Sequence, residues 1–255
     1  MHPLDLYDIA VTSPDRLAPF IQALHGHNPR TLAEDFSGNA ALARGWLRLD
    51  PRHRAIAIDL DKPTLDHIPV TKGLKKLRKD VMKVTDKTDI VAATNFPVCY
   101  WHTRKDLVRY LRSVHARLNK GGIFVADLYG GPHALKTGKR TKHIPIPRGK
   151  VVHYTWDQKS IDPLTNRVFN AIHFRVVDKK SAKPPLVIKN AFTYDWRLWS
   201  IPELRDALSE AGFRSSEVHD RLGGAIDHEG NVHVRAVDEG ELDQDWVVYV
   251  VGRRD

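Results

Sequence analysis

The chain has 255 residues, of which 42% are hydrophobic and 28% charged, as in globular proteins with a core of ordinary size. It contains no apolar run that could cross a bilayer, and its start lacks the basic and apolar stretches of a secretion signal. Its one cysteine, Cys99, excludes an internal disulfide, so the cytoplasm is the predicted compartment and no membrane partner is expected.

The formal net charge of +9 is unevenly spread along the chain. Residues 102–150 contain twelve Lys and Arg against Asp106 and Asp127, whereas residues 216–255 contain ten Asp and Glu against four Arg. A basic segment of this kind can attract nucleic acid, although a solvated basic surface explains the same pattern. The charge therefore leaves a nucleic-acid partner open without favouring it.

Short apolar runs alternate with helical patterns in the first half of the chain, which predicts a mainly parallel sheet covered by helices. The predicted strands are residues 31–35, 55–59, 77–81, 90–95 and 123–127. The predicted helices are residues 14–26, 40–49 and 103–120, the last of them followed by Gly121 and Gly122 as a stop signal.

The second half begins with a change of pattern. Residues 130–150 are rich in Gly, Pro, Lys and Arg and are predicted to be irregular. Three antiparallel strands are predicted next, followed by a helix and two further strands, at residues 151–156, 168–177, 186–194, 200–212, 215–219 and 246–251. The prediction is one doubly wound α/β domain, residues 1–129 and 196–255, with a β-rich insertion at 130–195.

Ligands of open α/β sheets bind beyond the carboxyl ends of the strands. The loop after the first strand begins with Glu34 and Asp35 and has one glycine, Gly38, so it is not a G-x-G-x-x-G pyrophosphate loop. Two carboxylates would repel a pyrophosphate but not a cationic, phosphate-free adenosine ligand such as S-adenosylmethionine. Asp59 suits a ribose diol, with Asp61 as its competitor, although acidic residues at strand ends also cap helices.

The chain resembles the class I (Rossmann-like) S-adenosylmethionine-dependent methyltransferases over residues 30–130 and 196–251. LAEDFSGNAAL resembles their motif I in an EDF-x-G-x-A variant, in which Phe36 and Ala40 replace the usual first and last glycines. IAIDLD, RKDV and TDIVAATNF resemble the ribose, adenine and fourth-strand motifs, and LNKGGIFVADL and WSIPELRDALSEAGF resemble later segments. The cofactor-binding residues that the resemblance implies are Glu34, Phe36, Ser37, Gly38, Asn39, Asp59, Leu60, Asp80, Val81, Asn95 and Phe96.

This resemblance also implies a fold and a reaction. The fold is a seven-stranded, mainly parallel sheet with an antiparallel last strand and the β-rich insertion after strand five. The reaction is methyl transfer from S-adenosylmethionine to an unidentified acceptor. In families with such an insertion it forms a lid, a substrate wall or a dimer contact, so a homodimer through residues 130–195 is one expectation.

Residues on the acceptor side follow the strands or lie in the insertion. The candidates for proton transfer are Tyr100, His102 and Tyr129, and the candidates for substrate contact are Trp101, Tyr154, Trp156 and Arg197. Aromatic residues in strands are more often part of the core, which is the alternative for each of them. The fourteen histidines show no metal-ligand spacing, so no metal is predicted.

Three functions remain open at this point. Methyl transfer to a small molecule is favoured because an aromatic, β-rich insertion suits a closed pocket. An RNA or protein methyltransferase would use the basic stretch, but Asn95-Phe96-Pro97 departs from the N/D-P-P-Y/F motif of amino-methylating nucleic-acid enzymes. A non-catalytic cofactor-binding protein is compatible with the altered motif I, whereas the acidic, glycine-poor loop disfavours a nicotinamide-dependent dehydrogenase.

Overall fold

The structure is a computed structural model that describes residues 1–181, 183–221, 229 and 232–255. The helices are α1 (Pro3–Ala10), α2 (Pro14–His25), α3 (Ala41–Leu49), α4 (Lys62–His67), α5 (Arg104–Arg117) and α6 (Ile201–Glu210). The strands are β1 (Thr31–Asp35), β2 (Arg54–Asp59), β3 (Leu74–Arg78), β4 (Thr88–Ala93), β5 (Leu118–Gly130), β6 (Gly138–Ile146), β7 (Lys150–Asp162), β8 (Arg167–Asp178), β9 (Leu186–Arg197), β10 (Ser215–Asp220) and β11 (Trp246–Arg253). In this described part of the chain, no helix is both long enough and apolar enough to span a bilayer.

The chain forms two compact units. The larger unit comprises Ser13–Gly131 and Trp199–Asp255, and the smaller unit comprises Met1–Thr12 and Pro132–Leu198. The expected first domain included residues 1–12, whereas these residues pack in the smaller unit. The reason is apolar burial, because α1 places Leu6 and Tyr7 against the inserted strands.

A seven-stranded sheet organises the larger unit in the order β10-β11-β5-β4-β1-β2-β3. Strands β1 to β5 pair in parallel, and β11 pairs antiparallel with both β5 and β10. The predicted doubly wound sheet with an antiparallel last strand is therefore confirmed. The central strands are apolar in their middle, and Leu32, Ile90 and Val125 lie in the core between the sheet and the helices.

The smaller unit contains a four-stranded antiparallel sheet in the order β6-β7-β8-β9. Its core consists of Leu6 from α1 together with Val152, Ile172, Phe174 and Val176. The prediction of a β-rich insertion after strand five is confirmed. The prediction that residues 130–150 are irregular is wrong, because residues 138–146 form β6.

Strand β6 escaped prediction because it has little apolar pattern to detect. It is an edge strand that pairs only with β7, and its residues from Gly138 to His143 are exposed. Lysines on an edge strand hinder pairing with another chain, so this strand needs charge rather than hydrophobic residues. Its fold depends on the neighbouring strand and not on its own sequence.

Two other boundaries differ from the prediction. Gly121 and Gly122 lie inside β5 and do not end the preceding helix, which stops at Arg117. A Cβ on Gly122 would lie 2.8 Å from the carbonyl oxygen of Asp89, so the glycine lets the strands approach. The third strand lies at Leu74–Arg78, earlier than predicted, because Asp80 caps a short 3-10 turn at Val81–Lys83.

Candidate functional site

The predicted cofactor residues lie in loops at one edge of the larger sheet. In this sheet β1 lies between β4 and β2, so the strand order reverses at the boundary between β1 and β4. Open α/β sheets bind ligands beyond the carboxyl ends of the strands at such a reversal. The loops after β1, β2, β3 and β4 all start at this edge, which brings the predicted positions to one side of the unit.

The loop between β1 and α3 has an unusual backbone that leaves free space above it. Phe36, Gly38 and Ala40 all have positive φ angles, of 54°, 52° and 59°. The loop is fixed by the N–H of Ser37, which donates to the Ile58 carbonyl at 2.9 Å, and by the Ala40 N–H, which donates to the Ser37 carbonyl. A Cβ built on Gly38 would meet no atom within 4 Å, so a ligand can approach this backbone closely.

The two carboxylates that begin this loop are buried, at 6% exposure for Glu34 and 1% for Asp35. Glu34 accepts a hydrogen bond from the Ala43 N–H at 2.7 Å, which stabilises the positive end of α3. Asp35 pairs with Arg117 and accepts a hydrogen bond from the Tyr110 hydroxyl at 2.8 Å. Burial raises the pKa of Asp35, and Arg117 opposes that shift. Asp35 thus has a cationic partner within the protein, whereas Glu34 is held by a backbone N–H group of α3.

Asp59 joins the second loop to the first. One of its oxygens accepts the Gly38 N–H at 2.9 Å, and the other accepts the Asp61 N–H at 2.9 Å. Each carboxylate oxygen retains a further lone pair, which a diol could use. Asp61, the competitor, instead caps α4 by accepting the Thr64 N–H at 2.9 Å. Leu60, between them, is 67% exposed.

Asp80 follows β3 and has a structural contact of its own. It accepts the Met82 N–H at 2.9 Å and so begins the short turn in which Val81 is buried. This contact is the helix-capping alternative that the sequence left open. Because it occupies only one lone pair of the carboxylate, it does not remove Asp80 from the predicted cofactor residues.

A strained turn follows β4. Asn95 and Phe96 have consecutive positive φ angles of 69° and 68°. Their backbone N–H groups donate to the two oxygens of Asp127, at 2.9 and 2.7 Å. Burial raises the pKa of Asp127 to about 6. The sequence analysis assigned no role to Asp127, and the signal that could have found it is a lone carboxylate after the apolar run of β5.

Aromatic rings line the same side of the larger unit. The ring of Phe36 lies 6.1 Å from that of Tyr100, 6.1 Å from that of Trp101 and 5.9 Å from that of Tyr110, measured between centroids. Tyr100 is 42% exposed, whereas the carbonyl of Trp101 accepts the indole N–H of Trp199 at 3.1 Å. Trp101 is thus held between core side chains, and Tyr100 offers the open face.

The remaining two candidates for proton transfer occupy different surroundings. Tyr129 packs edge-on against Phe96, with a centroid distance of 4.8 Å, and so lies beside the strained turn. His102 is half-buried and precedes Thr103, whose hydroxyl caps α5 by accepting the Asp106 N–H. Of these two candidates, Tyr129 is the one with a ring contact to the Asn95-Phe96 turn.

The predicted substrate residues Tyr154, Trp156 and Arg197 belong to the smaller unit and are described within it. The ring of Trp156 lies 5.9 Å from that of Tyr194 and 5.8 Å from that of Trp196. Asn170, in register with Tyr194, is fully buried, and neither polar atom of its amide has a hydrogen-bond partner among the residues that the structure describes. This aromatic cluster is held together inside the smaller unit.

The described residues meet the requirements of neither a metal site nor a reactive thiol. Across residues 1–181, 183–221, 229 and 232–255, no three His, Cys, Asp or Glu side chains are grouped as a metal site would require. Cys99 is buried, and burial raises the pKa of its thiol. A thiol held in its neutral form is a poor nucleophile.

No protein-family profile matches the chain, and no curated protein matches its sequence. Solved structures match it over most of its length. A S-adenosylmethionine-dependent methyltransferase from Clostridium acetobutylicum is 15% identical, with a TM-score of 0.68 over 98% of this chain and 96% of that chain. The sugar N-methyltransferase KedS8 from Streptoalloteichus is 15% identical, with a TM-score of 0.65 over 95% of this chain and 87% of that chain. S-adenosylmethionine-bound CalS10, an amino pentose methyltransferase from Micromonospora echinaspora, is 14% identical, with a TM-score of 0.69 over 98% and 94%. The sequence identities are low, so this structural similarity shows the fold alone, which is that of the class I methyltransferases.

Proposed function

We propose that this protein is an S-adenosylmethionine-dependent methyltransferase that acts on a small-molecule acceptor. The observation that carries the proposal is the open Gly38 backbone hydrogen-bonded to Asp59 at the reversal of strand order. A nucleoside could come close to the backbone at Gly38, and the Asp59 carboxylate could accept hydrogen bonds from its ribose. The class I fold supports the same cofactor, since the matched structures include a S-adenosylmethionine-bound methyltransferase.

The residues present fit an adenosyl cofactor. The open space at Gly38 would let the cofactor approach the loop closely. The remaining lone pairs of Asp59 would accept hydrogen bonds from the ribose hydroxyls, and the exposed Leu60 side chain would pack against one face of the adenine. Asp80 would accept the adenine amino group, and the Asn95-Phe96 turn would border the methyl-donor end. The further residues assigned to this side are Glu34, Phe36, Ser37, Asn39 and Val81.

When bound, the cofactor supplies a methyl group already activated on a sulfonium. The chain's own residues then have to orient the acceptor and exclude water from the line of attack. Phe36 and Tyr100 provide an apolar, partly exposed wall suited to that task. Tyr100, His102 and Tyr129 are the candidates to accept the proton that the acceptor releases.

A small molecule is the acceptor class that we favour. Two of the matched structures are of sugar methyltransferases, the amino pentose methyltransferase CalS10 and the sugar N-methyltransferase KedS8. The inserted sheet, with Tyr154, Trp156 and Arg197, would act on the acceptor side. The alternative roles proposed for the inserted sheet are a lid and a contact between two copies of the chain.

Nucleic acid is the less favoured acceptor because much of the positive charge on α5 is already paired. Arg104 and Arg112 both contact Glu210, and Arg109 contacts Asp106 at 3.0 Å. Arg117 is buried with Asp35 and cannot reach a phosphate. The basic segment from Arg104 to Arg117 therefore presents less net charge than its sequence indicates.

Calorimetric titration with S-adenosylmethionine and S-adenosylhomocysteine tests the proposal, with NADH as the control ligand. We expect micromolar binding of both adenosyl ligands and none of NADH. A folded protein that binds neither adenosyl ligand would contradict the proposal. Binding followed by no methyl transfer to any of a panel of amino sugars and other small amines would instead favour a non-catalytic cofactor-binding protein.

A further inference from the structure

Asp127 is a buried carboxylate that no predicted role uses. It lies in β5 one residue beyond the last pair between β4 and β5, which joins Ala93 to Ala126. Only 5% of Asp127 is exposed. Both of its oxygens point to the neighbouring loop, where they accept the backbone N–H groups of Asn95 and Phe96.

The turn that it holds is unfavourable without this support. A non-glycine residue with positive φ is uncommon, and two in succession cost more, especially when one carries a bulky ring. Asn95 tolerates this conformation better than Phe96 does. Two charge-assisted hydrogen bonds from one carboxylate can compensate for the strain because each is stronger than a bond to a neutral acceptor. The conformation after β4 therefore depends on a side chain from β5.

We infer that Asp127 is a positioning residue that holds the Asn95-Phe96 turn in the shape required by the adenosyl cofactor. This inference rests on the proposed function, because it takes the turn as one border of the cofactor site. Asp127 itself would not touch the cofactor or accept the acceptor's proton. Each of its oxygens accepts one backbone N–H, as in Asp59, but with only 5% of the residue exposed its remaining lone pairs are poorly accessible to a ligand.

Protonation offers a way to weaken this contact without a mutation. A protonated carboxyl keeps its carbonyl oxygen as an acceptor, but its hydroxyl oxygen is a weaker acceptor and the charge is lost, so the hold on the two N–H groups weakens. The pKa of Asp127 is raised to about 6 by burial, so the ionised form is present above that pH and is lost as the pH falls through it. Binding of the cofactor should then weaken on acidification through pH 6.

Other titratable groups near Asp127 behave differently. Among the described residues, those interacting with it are the Cys99 thiol, the Tyr249 hydroxyl and the Arg221 guanidinium. Burial raises the pKa of both Cys99 and Tyr249, so neither changes charge near pH 6. His219 lies across from Tyr249 in the sheet, and burial lowers the pKa of its imidazole. A pH dependence of binding that persists in the Asp127→Asn variant would therefore come from another group, such as His219.

The test is the affinity for S-adenosylhomocysteine, measured by calorimetry between pH 5 and pH 8, for the wild type, Asp127→Asn and Asp89→Asn. Asp89 is a matched control because its carboxylate also accepts two backbone N–H groups, from Arg30 at 2.8 Å and Thr31 at 2.9 Å. Those contacts lie at the amino ends of β1 and β4, on the opposite edge of the sheet. Both variants remove the charge of a carboxylate that accepts backbone N–H groups, and only Asp127 borders the proposed site.

We expect Asp127→Asn to bind about tenfold more weakly than the wild type at pH 8 and to show no step near pH 6. Asp89→Asn should keep both the affinity and the step, whatever its melting temperature. The change of affinity near pH 6 is measured in the wild type itself, so it remains informative if Asp127→Asn folds poorly. Wild-type binding without a step near pH 6, or unchanged affinity of folded Asp127→Asn, would overturn the inference alone. Failure of the wild type to bind at any pH would overturn the proposed function and this inference together.

Discussion

Asp59 accepts a hydrogen bond from the backbone N–H of Gly38 at 2.9 Å, so the end of β2 is joined directly to the loop after β1. The two loops proposed to bind the cofactor are thus connected by a hydrogen bond. Any change at Asp59 therefore affects both the proposed ligand contact and the shape of the loop.

Replacing Asp59 with alanine should abolish detectable binding of S-adenosylhomocysteine, or weaken it by at least about tenfold, because the ribose hydroxyls would lose their acceptor. The matched control is Asp61→Ala. That variant removes the cap of α4 and should lower the free energy of unfolding by about 1 kcal/mol, with little change in binding. Calorimetry and urea denaturation measure the two quantities. The reverse outcome, with Asp61 essential for binding and Asp59 dispensable, would assign the ribose to Asp61.

Gly38→Ala and Gly26→Ala form a second matched pair. Both glycines have positive φ, 52° and 76°, and a Cβ at either would meet no atom within 4 Å. Each alanine should therefore cost roughly 1–2 kcal/mol of stability from backbone strain alone. Only Gly38→Ala should also weaken S-adenosylhomocysteine binding, because its methyl group would occupy the space proposed for the ligand. Equal affinities in the two variants would place the ligand elsewhere.

Removing one partner of the buried ion pair between Asp35 and Arg117 should strongly destabilise the larger unit. Arg117→Met would leave the Asp35 carboxylate buried without its cation, at a cost of about 3–5 kcal/mol. The double variant with Asp35→Leu should lose less than the single variant, because no buried charge remains. Urea denaturation at neutral pH measures both. Additive losses in the double variant would show that the two groups do not act as a pair.

The pH dependence of the Arg117→Met variant follows from the same pair. Burial already raises the pKa of Asp35, and loss of Arg117 should raise it further. The folded state then binds a proton at a pH where the unfolded chain does not, so stability falls as the pH rises through that window. We expect the deficit of Arg117→Met to be smaller at pH 5 than at pH 8 in urea titrations. A deficit that grew on acidification would contradict this assignment.

Asn170→Leu should make the protein more stable. Asn170 is fully buried, and neither end of its amide has a hydrogen-bond partner, a state that costs about 1–3 kcal/mol. Leucine has a similar shape and no polar atoms, so the melting temperature should rise. Asn166→Leu is the control, because the amide of Asn166 donates to the Leu198 carbonyl at 2.7 Å, and its loss should lower the melting temperature. A fall in melting temperature for Asn170→Leu would show that the amide has a stabilising contact.

Apolar patterning made the central sheet predictable from the sequence. Strands β4 and β11 contain continuous apolar runs bounded by polar residues, and the capping box of Ser200 and Glu203 marked the start of α6. These signals are local, and burial on both faces reinforces them. The fold class and the order of the loops followed directly from such segments.

Features that depend on distant partners could not be predicted in the same way. Strand β6 is charged and exposed, and only its pairing with β7 makes it a strand. Helix α1 has eight residues, too few for a stable isolated helix, and it is supported by its contacts in the smaller unit. The positive φ angles of Asn95 and Phe96 depend on Asp127, which lies more than thirty residues away. No property of the local sequence reports that dependence.

Helix α1 is made long before the strands that it packs against in the smaller unit. Its Tyr7 ring packs against Phe192 at a centroid distance of 5.1 Å, so the contact joins the beginning of the chain to the last inserted strand. A ribosome makes the chain from its amino end, and α1 must wait until β9 has been made before its apolar face is covered. During that interval Leu6 and Tyr7 are exposed to other apolar surfaces, which makes this segment a candidate for binding by chaperones on the growing chain.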